Sequence, residues 1–236
     1  MEATPTAGAA PAAPWKTALA WLLWLWIALV VVGAFVYAPL EAKGFQNPFA
    51  YRILFFHVPA AWASFVAFLA AGFWSLLYLT RGRRLDHDLA AAAAVELGLV
   101  FCLLATLTGS MWSRIEWGAF WNWDPRQTSI VLALVFYAAY MVLRSAVEDE
   151  QARARLSASY ALLGLVVAPF LFFVLPRLTL TLHPEPVVNA AGAVEMQSSM
   201  LQVLLAGAAG FTVLFFWIHH IALRIKRLAA RNDHTR

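Results

Sequence analysis

The chain has 236 residues, 62% of them hydrophobic and only 13% charged, with a mean hydropathy of +0.70. Soluble domains carry about a quarter charged residues, so this balance excludes an ordinary soluble globule and points to a membrane protein. The net charge of +4 raises nucleic acid as a partner, but the basic residues cluster beside apolar segments, which indicates an anionic membrane surface and no nucleic acid.

The first stretch, MEATPTAGAAPAAP (1–14), is a Pro/Ala-rich tail that reads as disordered and lacks the positive n-region of a signal peptide. The apolar run after it, Trp15–Tyr37, is too long for an h-region and is expected to be an uncleaved first helix. Further apolar runs follow at Val58–Leu79, Leu89–Met111, Ser129–Leu143, Ser157–Leu175 and Ser199–His220. A span needs ~20 mostly apolar residues; the fourth run is the shortest but can extend at either end. Lipid-exposed backbone must satisfy its own hydrogen bonds, so all six are read as helices. Cys102 lies inside the third run; as the only cysteine it excludes an intramolecular disulfide and reads as a small hydrophobe. The expected fold is an all-α membrane protein, a six-transmembrane-helix bundle forming one integral membrane domain over 1–236. An outer loop is expected at 112–128 and a basic tail at 221–236.

Basic residues set the expected orientation. Lys16, Arg81, Arg83, Arg84, Arg144, Arg153, Arg155, Arg224, Lys226, Arg227, Arg231 and Arg236 fall on one side, twelve of the seventeen. Lys43, Arg52, Arg114, Arg126 and Arg177 fall on the other. The positive-inside rule then places both termini in the cytoplasm. His87, His219, His220 and His234 lie on the cytoplasmic side, leaving His57 and His183 as the two outer histidines, one on each side of the tryptophan segment.

His57 sits in FFHVPAAW. Proline cannot donate a backbone hydrogen bond and disfavours helix in the residue before it, so helix 2 is expected to start or kink near Val58–Pro59. His183 sits in TLTLHPEPVV, where two prolines keep the chain extended. Between them lies WGAFWNWDPRQTS, Trp117 to Ser129. Its DPRQ run places Asp124 as the N-cap of helix 4, Pro125 at N1 and Gln127 as a capping-box-like N3 residue. The expectation is that Asp124 serves mainly as that cap.

A lone interfacial histidine reads as a solvated loop residue, and scattered tryptophans such as Trp15 and Trp74 read as an aromatic belt. Trp117, Trp121 and Trp123 are denser than a belt requires. Trp117 and Trp121 share a face if the segment is helical, Trp121 and Trp123 if it is extended. Two imidazoles flanking aromatic surface, with arginines nearby, match haem, which offers two axial positions, a flat apolar ring and two propionates. Arg52, Arg114, Arg126 and Arg177 are the propionate candidates. Zinc would need further ligands, which only Asp124, Glu185 or Glu195 could supply, and would leave the tryptophans unexplained. An electron-transfer cytochrome b subunit and a small-molecule transporter remain the rival classes. Against the first, both histidines read as loop residues on one face. Against the second, Glu96 is the one strong intramembrane ionisable residue and lies near the cytoplasmic end of helix 3.

The segment WGAFWNWDPRQTS resembles the tryptophan-rich WWD signature of haem-handling membrane proteins. Six spans with one histidine in each flanking outer loop are similar to the CcmC family of cytochrome c maturation, and the resemblance covers nearly the whole chain. Phe120 stands where many of that family carry another tryptophan. The resemblance implies a haem-binding protein, not an enzyme, in the bacterial inner membrane with its site at the periplasmic face. By it, His57 and His183 are axial ligands of a b-type haem, and Trp117, Trp121, Trp123, Asp124 and Arg126 form the platform. It also implies delivery of haem to the chaperone CcmE, and work alongside CcmD and the transporter subunits CcmA and CcmB.

Overall fold

The computed structural model describes residues 14–42, 45–184, 194 and 196–233. The tail over 1–13, Lys43, Glu185, Glu195 and His234 lie outside the described residues. Seven α-helices follow in order: α1 (Pro14–Val32), α2 (Leu54–Thr80), α3 (Leu85–Trp117), α4 (Pro125–Ala146), α5 (Glu150–Pro169), α6 (Leu175–Leu178) and α7 (Ser198–Asp233). A π-helical stretch, Gly33–Tyr37, extends α1; a 3₁₀ turn, Ala50–Ile53, leads into α2; and a second π-helical stretch, Phe170–Val174, joins α5 to α6. No strand occurs among the described residues.

Six helical units are long and apolar enough to cross a bilayer: Thr17–Tyr37, Ala50–Thr80, Leu85–Trp117, Pro125–Ala146, Glu150–Leu178 and Ser198–Asn232. The protein is therefore an all-α, multi-pass membrane bundle. Each unit other than the first outruns the apolar run that announced it, because helical hydrogen bonding continues where hydropathy falls. At 1.5 Å per residue α3 is about 50 Å long, well beyond a ~30 Å hydrocarbon core, so its ends reach into the headgroup zones. The connection expected over 112–128 narrows to 118–124, and the stretch from 221 to 233 is a continuation of α7.

Helix α2 is the centre, packed along α3, α5 and α7, while α1 lies at the edge against α7. The core between α2, α3, α4 and α5 is built on Phe68, whose ring stacks on Tyr137 at 3.6 Å and 3°. Small residues set the helix spacing. A Cβ on Gly98 would stand 2.5 Å from the Phe68 ring.

Helix 2 starts four residues before the expected start or kink near Val58–Pro59, and the loop position expected of His57 is corrected by the structure. α2 begins at Leu54 and runs through Pro59, so His57 is a helical residue and not a loop residue. Pro59 is fully buried against α7, where a Cβ on Gly207 would come within 3.1 Å of its ring and 3.2 Å of Phe55 O. This tertiary packing overrides the local disfavour for helix before proline.

The end of the bundle remote from the tryptophans is closed by ions. Arg144 donates to both carboxylate oxygens of Asp88 (2.6 and 2.8 Å), Lys226 pairs with Glu96 at 2.6 Å, and Arg227 pairs with Asp86 at 2.8 Å. These contacts tie α3 to α4 and α7. Buried His219 makes a hydrogen bond to Ala90 O at 2.9 Å, and His87 stacks on Trp74.

Candidate functional site

The last turns of α3 present two adjacent rows at helical spacing, Thr108–Trp112–Glu116 and Gly109–Ser113–Trp117. His57 of α2 lies over the first of these turns. Its Nδ1 and Thr108 Oγ1 are 3.1 Å apart, and a Cβ on Gly109 would meet its ring at 2.7 Å. Glycine at 109 is thus what allows the imidazole to sit on the helix.

α3 ends at Gly118, whose φ of 78° is the left-handed conformation that glycine adopts at little cost. The short connection to α4 is fixed by side chains from both helices. Ser113 Oγ donates to Ala119 O (2.7 Å), Asn122 Nδ2 donates to Ser113 Oγ (2.8 Å), and Asn122 N donates to Gln127 Oε1 (2.9 Å). Gln127 therefore holds the loop instead of closing the expected capping box on the N–H of Asp124. Trp123 is left-handed at φ 56° and 77% exposed, a conformation that costs a non-glycine residue about 1–2 kcal/mol.

Asp124 is the N-cap of α4, with Arg126 N donating to Oδ1 at 2.9 Å, and it is also much more than a cap. Oδ1 accepts from His183 Nδ1 at 2.8 Å, and Oδ2 accepts from Thr181 Oγ1 (2.8 Å) and Leu182 N (2.6 Å). Four donors saturate a carboxylate whose side chain is 0% exposed. Burial would raise its pKa, but the donors from Leu182, Thr181 and Arg126 outweigh that and hold it below the usual carboxylate range, with His183 adding to the pull. Burial pushes His183 down to about 4, against the attraction of Asp124 and with Arg126 and His57 pushing the same way. At neutral pH the pair is therefore a carboxylate accepting from a neutral imidazole. Nδ1–H is fixed on Asp124, and Nε2 is left as a lone pair with no hydrogen-bond partner among the described residues.

The His183 ring packs against Trp117 (4.9 Å, 74°) and Trp112 (5.8 Å, 36°), which also meet each other at 4.9 Å. Trp121 and Trp123 form a separate edge-to-face pair at 5.9 Å. The three tryptophans of the segment thus divide: Trp117 is with His183, and the other two stand together. The connection between α1 and α2 closes the other flank. Buried Glu116 accepts from Gln46 N (2.7 Å) and Asn47 N (3.1 Å), which brings the Phe45 ring onto Trp112 at 6.3 Å.

The arginines separate clearly. Arg126 acts electrostatically on His183. Arg52 donates to Pro39 O at 3.4 Å and lies among the rings of Phe35, Phe49 and Tyr51. Arg114 is engaged by Gly118 O and the Phe120 ring, and Arg177 by Phe173 O. Sequence reasoning missed Thr108, Trp112, Ser113, Glu116 and Thr181. Trp112 falls at the start of the expected outer loop 112–128 and is not singled out there, and the others have meaning only through partners in the fold.

The chain is similar over residues 3–236 to the family model described as CcmC, heme exporter protein C. It is 35% identical to heme exporter protein C of Bradyrhizobium diazoefficiens across 90% of this chain and 80% of that protein. The protein of the same name from Paracoccus denitrificans is 32% identical across 86% of each chain. A putative cytochrome c biosynthesis ccmC-like mitochondrial protein of Marchantia polymorpha is 29% identical across 82% of this chain and 81% of that protein. With a six-helix apolar bundle, a buried Asp–His pair at one end of it and a match that spans almost its whole length, the chain belongs to the CcmC, heme exporter protein C, family.

Proposed function

We propose that this protein handles haem for cytochrome c maturation, holding it through His57 and His183 and delivering it to a chaperone. The reading is carried by one observation: each imidazole has its Nδ1 engaged, by Thr108 or by Asp124, so that each can offer Nε2 to iron. Metal-binding histidines are oriented in this way by a carboxylate or other acceptor on the second nitrogen. The donor set fits haem better than a bare ion. No group of three or more His, Cys, Asp or Glu side chains suited to a metal occurs among the described residues. Two histidines suffice for haem, whose ring supplies the other ligands.

In this reading Trp117, with Trp112, gives the apolar wall next to His183, and Trp121 and Trp123 form an exposed aromatic ledge for the ring or for the protein that receives it. Arg126 is the arginine proposed for a propionate, since it acts on the same imidazole. Arg52 lies farther out among aromatic rings and is proposed for the second. The excess of arginine and lysine at the opposite end supports a site at the periplasmic face of the bacterial inner membrane. The receiving partner is proposed to be CcmE, with CcmA, CcmB and CcmD as membrane partners. The chain's task is to bind and orient haem, and the iron chemistry belongs to the cargo.

His57 lies on a helix, as ligands do in b-type cytochromes, so a redox titration is needed to separate the two classes. The direct test is the absorption spectrum and haem content of the purified protein and of its His57→Ala and His183→Ala variants. Wild type should give a low-spin spectrum, and each variant should lose haem or change spin state. Unchanged spectra in both variants would remove these residues as ligands.

A further inference from the structure

At the ionic end of the bundle, α2 stops at Thr80 and the chain turns back to begin α3 at Leu85. Arg81 N donates to Leu77 O (2.8 Å) and Arg83 N to Tyr78 O (3.1 Å), closing the helix around Gly82 at φ 77°. Arg83 is itself left-handed, at φ 52°. This turn and the start of α5 enclose a cleft of about 390 Å³, lined by Tyr78, Arg83, Asp149, Gln151 and Arg155. That volume is within the range of small-molecule sites.

The cleft sets two guanidinium groups against one carboxylate. Arg83 and Arg155 are exposed, and the guanidinium group of neither makes a hydrogen bond or ion pair with a described residue. Elsewhere at this end the basic side chains Arg144, Lys226 and Arg227 each have their own carboxylate. Asp149 lines the same cleft, but its carboxylate caps α5 by accepting from Ala152 N at 2.6 Å. Glu150, in the first turn of α5, reduces the positive field without lining the cleft. The one carboxylate in the lining, Asp149, balances only one of the two guanidinium groups, which leaves positive charge for a further anion, and their planar forks match phosphate oxygens. The N-terminus of the twenty-residue helix α5 adds a positive dipole end on the same side.

We propose that this cleft binds an anionic phosphate group through Arg83 and Arg155, with Tyr78 and Gln151 as neutral hydrogen-bonding walls. The group is carried by a phospholipid headgroup or is free in solution. The cleft opens where two membrane spans end, at the depth of lipid headgroups. This is a separate site from the histidines and does not depend on haem.

The test uses the full-length protein in nanodiscs of phosphatidylcholine with added phosphatidylglycerol, and native mass spectrometry of the lipids it retains. Wild type should keep phosphatidylglycerol in preference to phosphatidylcholine. Arg83→Gln with Arg155→Gln should lower that retention about tenfold, as expected for the loss of charge-assisted hydrogen bonds. Arg224→Gln with Arg231→Gln removes equal charge from exposed positions of α7 and should leave retention unchanged. In discs of phosphatidylcholine alone, inorganic phosphate is titrated against thermal unfolding. Stabilisation of wild type but not of the Arg83/Arg155 variant assigns a free anion; selective lipid retention assigns the headgroup. The proposal is overturned if neither response exceeds that of the Arg83/Arg155 variant, or if the α7 variant loses as much lipid. The unfolding temperature of each variant in the absence of phosphate confirms that the comparison is between folded proteins.

Discussion

The two ends of the bundle use the same device for opposite purposes. At one end Asp88 is buried near the start of α3 and accepts both terminal nitrogens of Arg144. At the other Asp124 is buried at the start of α4 and accepts from His183. The arginine has given its fork to one carboxylate, so the pair is a fastening. The imidazole has given one nitrogen and keeps the other, so the pair is a fastening that leaves a ring nitrogen unused. A buried carboxylate therefore says little about function until the remaining valence of its partner is counted.

The comparison can be broken at either end. Asp88→Ala leaves Arg144 buried without its counter-charge and should cost about 3–5 kcal/mol, read as a large fall in the thermal unfolding temperature. Haem bound per folded molecule should stay at the wild-type level; a parallel loss would mean that the two ends are coupled. Asp124→Ala should weaken haem binding about 10–100-fold by freeing the second nitrogen of His183, and spectroscopic titration would read it. An Asp124→Ala protein that binds as tightly as wild type would reduce Asp124 to a cap.

Asp124→Asn sharpens the point. Asparagine still caps a helix, and so should spare the ~1 kcal/mol that Ala forfeits in α4 stability. Its amide nitrogen, however, must face donors now served by a carboxylate oxygen, so haem affinity should fall between the values for wild type and Ala. Equal affinity for Asn and Asp would show that the charge on Asp124 is dispensable. The smallest effect belongs to the exposed pair Asp86–Arg227, whose side chains are 43% and 40% accessible. Arg227→Gln should change stability by less than about 1 kcal/mol, and a larger drop would show that this pair belongs to the buried lock.

Six helices long and apolar enough to cross a membrane and an N-cap at Asp124 are legible in the sequence because each has a local signature. Apolar length announces a span, and Asp-Pro with a following apolar run announces a helix start. The bond between Asp124 and His183 links residues 59 positions apart, and nothing local encodes it. His57 was misplaced for the converse reason. The proline rule describes an isolated chain, whereas Pro59 is held in the helix by its packing on Gly207, far along α7. Trp112 falls just past the expected end of its apolar run at Met111, where an indole against a histidine looks the same as an interfacial indole against lipid.

In the proposed function, Asp124 aims the free nitrogen of His183 at haem iron. It is tested most directly by adding imidazole to the His183→Ala protein loaded with haem and recording its spectrum. The account predicts that the variant loses the low-spin bis-histidine bands and that imidazole, filling the place of the missing side chain, restores them. A His183→Ala protein whose bands match wild type before any imidazole is added would contradict it.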